Sequence, residues 1–464
     1  MDPVAAHAAN VPLHFRSIAE RYRHGVRIRA SDAAGAIGGR LRGPDVEFEG
    51  ASFDSRRLEP GQLFVPIVAE RNGHEFTDTA LDAGAPAFLT HEPASADLRG
   101  TAIEVDDTAA ALLALATWAR RRLDASVVGI TGSVGKTTTK DLTAVACAAG
   151  RRTAANERSF NNDQGLPVTI LNAPDDTEVL ILEMGMRGLG HIAKLCDVAR
   201  PDIGLVTVVG DAHTELLGGI DGVAMAKGEL IASLPSTGTA VLNADDERVA
   251  AMRDRTDATV VTFGSSGDVR VSDIEVDERA RASFRVDSPW GSGTVRLVVP
   301  GMHMVSNAAG ALAVSGVVGV DLAAAIEALA TATVSGMRME LLTAPSGATV
   351  VNDAYNANPT SMRAALDALA AMGADRRIAV LGLMGEIADP APAHAGIAAY
   401  ARDRDIELIA VGTDLYGIAA VHDPVAAVGD LGPGTVVLVK ASRAAGLERL
   451  VADLVSAPGS RSSV

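Results

Sequence analysis

Aromatic side chains are scarce here: Phe, Tyr and Trp supply 3% of 464 residues. An aromatic-lined binding face is therefore not the organising feature, and the abundant Ala, Val, Gly and Leu favour tightly packed α/β layers. Cysteine is almost missing. Cys147 and Cys196 are the only two, in no CxxC or metal-like spacing, which argues against a disulfide framework and for a reducing compartment. Excess basic charge is missing too: 41 Lys and Arg against 58 Asp and Glu give −17. So acidic a surface argues against general nucleic-acid or anionic-membrane binding, although a local cluster of N–H donors can still hold a phosphate. The longest apolar run, near 109–119, is too short to span a bilayer. The N-terminus carries Asp2, His7, His14 and Arg16 in place of a leader pattern. A cytoplasmic monomer with no nucleic-acid or membrane partner is expected.

The length exceeds what one hydrophobic core supports and suggests about three domains. Residues 1–28 read as a charge-mixed arm. Residues 29–122 hold short strand-like runs and a closing helix at 106–122. From 126, apolar strand candidates (126–130, 178–182, 203–209, 239–242, 259–263) alternate with helical segments (136–149, 190–199, 222–234, 245–255). That alternation predicts a parallel sheet with helices on both faces. Three short strands between 269 and 299 and helices at 305–318 and 321–330 complete a central domain, 123–333. A second alternating set (strands 349–351, 377–381, 406–411 and 435–439; helices 360–372, 391–402 and 443–455) forms a Rossmann-like domain, 334–464. The tail from 456 is Ser/Gly/Pro-rich, and no internal repeat is visible.

The strand at 126–130 runs into TGSVGKTTT, residues 131–139. Gly132 and Gly135 let the backbone turn so that its amides, with those of Ser133 and Thr138, approach phosphate oxygens. Lys136 adds a point charge, and the Thr137 hydroxyl can reach Mg²⁺. This places an ATP site here. The common P-loop needs glycine five residues before Gly135, where this chain has Ile130.

Three metal-site candidates follow. Glu183 ends a strand at the carboxyl edge of the sheet, where α/β ligand sites form; a solvated loop glutamate is the alternative. His213 follows another strand, where a surface histidine is equally ordinary. Lys227 falls inside the stripe Val223, Ala226, Leu230, Ile231 and Leu234 by helical spacing. A buried lysine is rare without a partner and loses basicity, unless its stem reaches solvent. Further on, NDAYNANPTSM (352–362) follows a strand and opens a helix. Asp353 can bond a ribose hydroxyl and the asparagines offer amide donors and acceptors, although such a string also serves as a turn with a helix cap.

The short phosphate loop resembles that of the Mur ligases and their folylpolyglutamate synthetase relatives, and the resemblance covers nearly the whole chain after residue 30. It implies a three-domain Mur ligase architecture. His213 and Lys227 stand fourteen residues apart, as in that family, where the lysine is carbamylated and binds a second Mg²⁺ with the glutamate and histidine. By the same resemblance, Ser55 and Arg56 (DSR, 54–56) and His74 (GHEF, 73–76) hold the uridine diphosphate. Asn161 and Asn162 (NNDQGLP, 161–167) face substrate, Asn307 contacts adenine, and Arg338 reaches the ATP phosphates from the hinge. VKASR (439–443) resembles the family's late strand–turn–helix motif. DxYNANPxSM, with Tyr355, Asn356 and Asn358, is similar to the branch that attaches D-alanyl-D-alanine. The implied activity joins D-alanyl-D-alanine to UDP-N-acetylmuramoyl tripeptide at the expense of ATP. Three places depart from the family: Met304, Gly336 and the loop 382–387.

Rival readings are another ligase of this fold, a non-catalytic ATP-binding paralogue, and a P-loop switch or motor ATPase. The uridine block near Ser55 opposes the first, and the short loop and the stripe position of Lys227 oppose the last. Lys136→Ala is expected to leave the fold intact and to lower ligation roughly thousand-fold, the effect of removing a phosphate-bound cation. Steady-state rates of the folded variant check this.

Overall fold

The computed structural model describes residues 25–93, 99–157, 159–210, 217–385 and 387–456. Its largest sheet arises from apolar runs that bury both faces. In Ser126–Thr131, Val128 and Ile130 enter one core and Val127 the opposite one. The same alternation divides Val179 and Ile181 from Leu180 and Leu182. Strands of this kind need helices on both sides. Helices Lys136–Ala148 and His303–Val317 cover one face, and His191–Ala199 and Ile220–Ala232 cover the other.

The sheet has nine strands. Thr153–Ala155, Val179–Glu183, Ser126–Thr131, Ile203–Val206, Thr239–Asn243 and Thr259–Gly264 run parallel in that spatial order. Val269–Val276 joins parallel, and Arg281–Ser288 and Gly291–Pro300 then add antiparallel. The short strands expected at 269–299 are thus a long antiparallel extension of 8, 8 and 10 residues. From Ser126–Thr131 the chain crosses to Thr153–Ala155 on one side, while Ile203–Val206 pairs on the other. Strand order reverses at this point, which opens a crevice at the carboxyl ends.

The N-terminal unit is a five-stranded sheet of Arg40–Arg42, Thr101–Glu104, Ala87–Thr90, Leu63–Phe64 and Ala51–Ser52, in spatial order. Helix Thr108–Arg120 closes it, started by Asp107, whose carboxylate accepts from the Ala109 and Ala110 amides. The last residues of the expected arm, 25–28, belong to the folded unit. Arg27–Arg29 is already a strand paired with Glu47–Glu49, and the Val26 amide donates to the Leu171 carbonyl at 3.0 Å. Residues 1–24 of that arm lie outside the described residues. The C-terminal sheet has the order Glu340–Thr343, Thr349–Asn352, Thr435–Lys440, Arg376–Leu381 and Glu407–Ala410, with only the first strand antiparallel.

Three predicted elements are cut short for local reasons. The strand expected to reach Val209 stops at Val206. Beyond it the Thr207 hydroxyl donates to the Val134 carbonyl at 2.7 Å, and the Val209 amide donates to the Asp246 carboxylate at 2.8 Å. The helix expected at 245–255 begins at Glu247, capped by Asp246, and finishes as a 3₁₀ turn. The helix expected at 443–455 breaks at Gly446, whose φ is 66°, before Glu448–Val455. Among the described residues no helix is long and apolar enough to cross a membrane.

Among the described residues, an ion pair lies fully buried inside the central layers. Lys140 and Asp141, 1% and 0% exposed, meet at 2.8 Å. The Lys140 ammonium also donates to the Asn156 carbonyl at 2.6 Å, and the other Asp141 oxygen accepts from the Ser335 amide at 2.7 Å. The phosphate-loop helix is thereby tied both to the segment after Thr153–Ala155 and to the approach to the C-terminal sheet. Asp141→Ala leaves the ammonium buried without its carboxylate and is expected to cost about 3–5 kcal/mol. A lowered urea midpoint, followed by circular dichroism, measures it; replacing both residues by apolar ones is expected to recover most of the loss.

Candidate active site

The phosphate loop turns at the carboxyl end of Ser126–Thr131, in the crevice. Gly132 has φ 155° and Gly135 has φ 81°. A Cβ on Gly135 would stand 2.6 Å from Asn307 Oδ1, so the loop lies directly on that side chain. Asn307, expected at the adenine, also accepts from the Thr139 hydroxyl at 3.2 Å, and its amide nitrogen lies 3.8 Å from Met304 Sδ. Helix Lys136–Ala148 begins with no side-chain cap, so its first amides are not taken by a capping side chain. Lys136 curls back to the Gly132 carbonyl at 2.8 Å. Ser133 differs from expectation. Its amide donates to Val208 O at 2.8 Å, and its hydroxyl both donates to and accepts from Gly210. It fastens the loop to the neighbouring strand end. Thr138 is buried in the first helical turn.

Glu183 is 1% exposed, and a carboxylate so buried requires donors. The Thr137 hydroxyl donates to Oε2 at 2.6 Å and the Asn161 amide to Oε1 at 2.6 Å. The Asn156 side chain fixes the strand end by accepting from the Glu183 amide at 2.9 Å. Arg338 arrives from the other side, donating to Thr137 Oγ1 at 2.9 Å and to Ser159 Oγ at 3.1 Å, and the two hydroxyls are 3.3 Å apart. Ser159 was not foreseen. Its only sequence signal is its place two residues before the asparagine string. The donor set, two hydroxyls and a carboxylate, is all oxygen, which is the set a hard cation such as Mg²⁺ takes.

Lys227 lies on helix Ile220–Ala232, 1% exposed, as its stripe position implied. Burial first, and then the positive charge of Lys136, push its ammonium well below the usual lysine range. His213, the third expected member, lies outside the described residues.

The hinge segment presents Arg338 between two left-handed residues, Met337 (φ 61°) and Met339 (φ 50°). The guanidinium lies over the Tyr355 ring, 3.8 Å from its centroid, so Tyr355 orients the arginine by cation–π contact. Asp353 is already engaged: Lys440 donates to one oxygen at 2.6 Å and the Met339 amide to the other at 3.1 Å. Two asparagines expected at the substrate also shape the backbone. Asn358 caps helix Pro359–Ala371 in a capping box with Ser361, and Asn162 accepts from the Gln164 and Gly165 amides where Gly165–Leu171 begins. Exposed Asn356 bonds the next amide through its side chain, and its carbonyl accepts from Lys440 at 2.9 Å.

In the N-terminal unit, Ser55 is buried beside the exposed Arg56. Arg56 pairs with Asp54 at 2.9 and 2.8 Å and holds that carboxyl below the usual range. This turn reaches the central loop. The Phe53 and Phe160 rings are 5.7 Å apart, and Arg57 donates to Glu157 at 3.0 Å. His74 sits on the single turn Gly73–Phe76, bonded to Asn72.

Comparison with known proteins agrees with this geometry. The Mur ligase middle domain matches residues 130–315, and the Mur ligase glutamate ligase domain matches residues 337–457. The UDP-N-acetylmuramoyl-tripeptide–D-alanyl-D-alanine ligase of Mycobacterium tuberculosis is 39% identical over 468 residues, covering 86% of this chain and 92% of the relative. That of Escherichia coli is 32% identical, covering 85% and 88%. Among solved structures, MurF from Acinetobacter baumannii superposes with a TM-score of 0.80 at 26% identity, covering 93% of this chain and 99% of that one. MurF ligase from Thermotoga maritima in complex with ADP gives 0.76 at 27% identity, covering 87% and 96%. A chain matched by both domain families, and aligned with such relatives over most of its length, belongs to the Mur ligase family.

Proposed function

We infer that this protein is an ATP-dependent ligase joining D-alanyl-D-alanine to UDP-N-acetylmuramoyl tripeptide in peptidoglycan precursor synthesis. The observation that carries this reading is the meeting of Thr137, Glu183 and Arg338 at the phosphate loop, in a chain aligned with such ligases over most of its length. The γ-phosphoryl of ATP passes to the terminal carboxylate of the tripeptide, giving an acyl phosphate and ADP. The dipeptide amine attacks that carbonyl, the C–N bond forms, phosphate leaves with the C–O bonding pair, and the amine's proton passes to solvent. Loop amides and Lys136 bind the phosphates, and Arg338 balances charge on the transferring group. Thr137, Ser159 and Glu183 would supply oxygen donors for Mg²⁺, which when bound would neutralise phosphate charge. ATP and a UDP-linked precursor as substrates support a cytoplasmic location. Supplying D-alanyl-D-alanine, D-glutamate, diaminopimelate or L-alanine with ATP and the tripeptide tests the reading. A pentapeptide mass with the dipeptide alone supports it, and ligation of a single amino acid instead overturns it.

The depressed basicity of Lys227 favours the free amine, the form that attacks carbon dioxide. A carbamate there would be an oxygen-donor anion of the kind Mg²⁺ takes, and by the family resemblance Glu183 and His213 would complete its ligands. Lys227→Ala is expected to be nearly inactive and partly restored by acetate, whereas Lys227→Arg keeps its charge and is not restored. Mass measurement under carbon dioxide is expected to show one carbamate, absent from both variants.

The Phe53–Phe160 contact and the Arg57–Glu157 pair join the nucleotide-binding turn to the loop that carries Ser159 and Asn161. Phe160→Ala is expected to lower kcat/KM for the UDP-substrate roughly ten- to hundred-fold, by displacing that loop. Because the same loop carries Ser159 and Asn161, ATP affinity measured without the UDP-substrate should fall as well, and Phe160→Tyr should restore most of both losses.

A further inference from the structure

Away from the phosphate loop, the N-terminal unit brings together three side chains that the ligase chemistry does not use as a group. His74 lies on the turn Gly73–Phe76, and His91 and Glu92 directly follow strand Ala87–Thr90. One ligand atom from each lies within 4.8 Å of the others. The two rings meet edge to face, with centroids 4.3 Å apart and planes at 76°. We propose that His74, His91 and Glu92 form a binding site for a divalent transition-metal ion of the zinc class.

Asn72 prepares the group. Its Oδ1 accepts from the His74 amide at 3.1 Å and lies 2.9 Å from His74 Nδ1. A backbone amide can only donate, so this Asn72 atom is the oxygen, and the proton sits on Nδ1. The lone pair of Nε2 then faces His91, whose amide approaches it at 3.4 Å, a long contact that a cation readily displaces. The Asn72 amide donates to Glu92 Oε1 at 3.1 Å, so the same side chain that sets the imidazole tautomer also aims the carboxylate. Outer partners of this kind fix metal ligands and raise their affinity.

The donor chemistry selects the ion. Two imidazoles and one carboxylate suit Zn²⁺ and its neighbours, whereas Mg²⁺ takes an oxygen shell. Ligand atoms about 2.0–2.2 Å from a tetrahedral ion lie roughly 3.4 Å apart, so a modest closing of the group completes three ligands and leaves a fourth position for water. Glu92 and His91 are exposed and close without disturbing the core, while both cysteines are buried elsewhere.

Equilibrium dialysis of the full chain against Zn²⁺, followed by metal analysis, tests the proposal, and visible absorption of the Co²⁺ form reports the ligand set. Wild type is expected to retain one equivalent more than His91→Ala. Glu92→Gln and Asn72→Ala should each weaken Zn²⁺ about ten-fold or more. His91→Ala, assayed without Zn²⁺, is expected to keep wild-type ligation, which certifies its fold. Equal Zn²⁺ retention by wild type and both ligand variants, or none by wild type, overturns the site.

Discussion

A single buried carboxylate organises the ligase site. Glu183 ends a central strand at 1% exposure, and a charge in that position costs several kcal/mol unless donors surround it. The donors come from parts of the chain distant in sequence. Thr137 brings the phosphate loop, Asn161 brings the loop leading to the N-terminal turn, and Arg338 brings the C-terminal sheet by bonding the same hydroxyl. Satisfying this anion joins the phosphate loop to the Asn161 loop within the central domain, and the other two units reach that cluster through Arg338 on the Thr137 hydroxyl and Phe53 on Phe160.

The arrangement is held under local strain. Met337 and Met339 adopt left-handed backbone conformations at φ 61° and 50°, which cost roughly 1–3 kcal/mol each for residues with a side chain. Their amides repay it: the Met337 amide donates to Glu340 at 3.2 Å and the Met339 amide to Asp353 at 3.1 Å. Asp353 is in turn pinned by Lys440, and Tyr355 supports the guanidinium from below. Gly336 leaves the approach to this segment free of a fixed φ.

Much of this was legible in the sequence because short-range rules decide it. Continuous apolar runs announced the doubly covered strands, and the spacing of Lys227 among Val223, Ala226 and Leu230 announced its burial. The phosphate loop declared itself through glycine and lysine spacing. What stayed hidden depends on tertiary placement. Asparagine caps a helix with the same atoms that would bind a ligand, so Asn162 and Asn358 could not be told from Asn161 before the fold was seen. Ser159 works through Arg338, far away in the chain, and only its place before the asparagine string marks it; Tyr355 stands in the string 352–362, but its contact with the Arg338 guanidinium depends on the fold. The antiparallel extension follows from the half-buried alternation of Val295, Leu297 and Val299, which pack onto the central helices.

The most direct test concerns Glu183 as the anchor proposed for a metal beside ATP. Binding of a non-hydrolysable ATP analogue, titrated by calorimetry across a range of Mg²⁺ concentrations, compares wild type with Glu183→Gln. The amide keeps the shape and loses the charge. Wild-type affinity should rise with Mg²⁺, while the variant should keep the metal-free affinity and lose most of that rise. An equal Mg²⁺-dependent rise in both proteins would contradict the account.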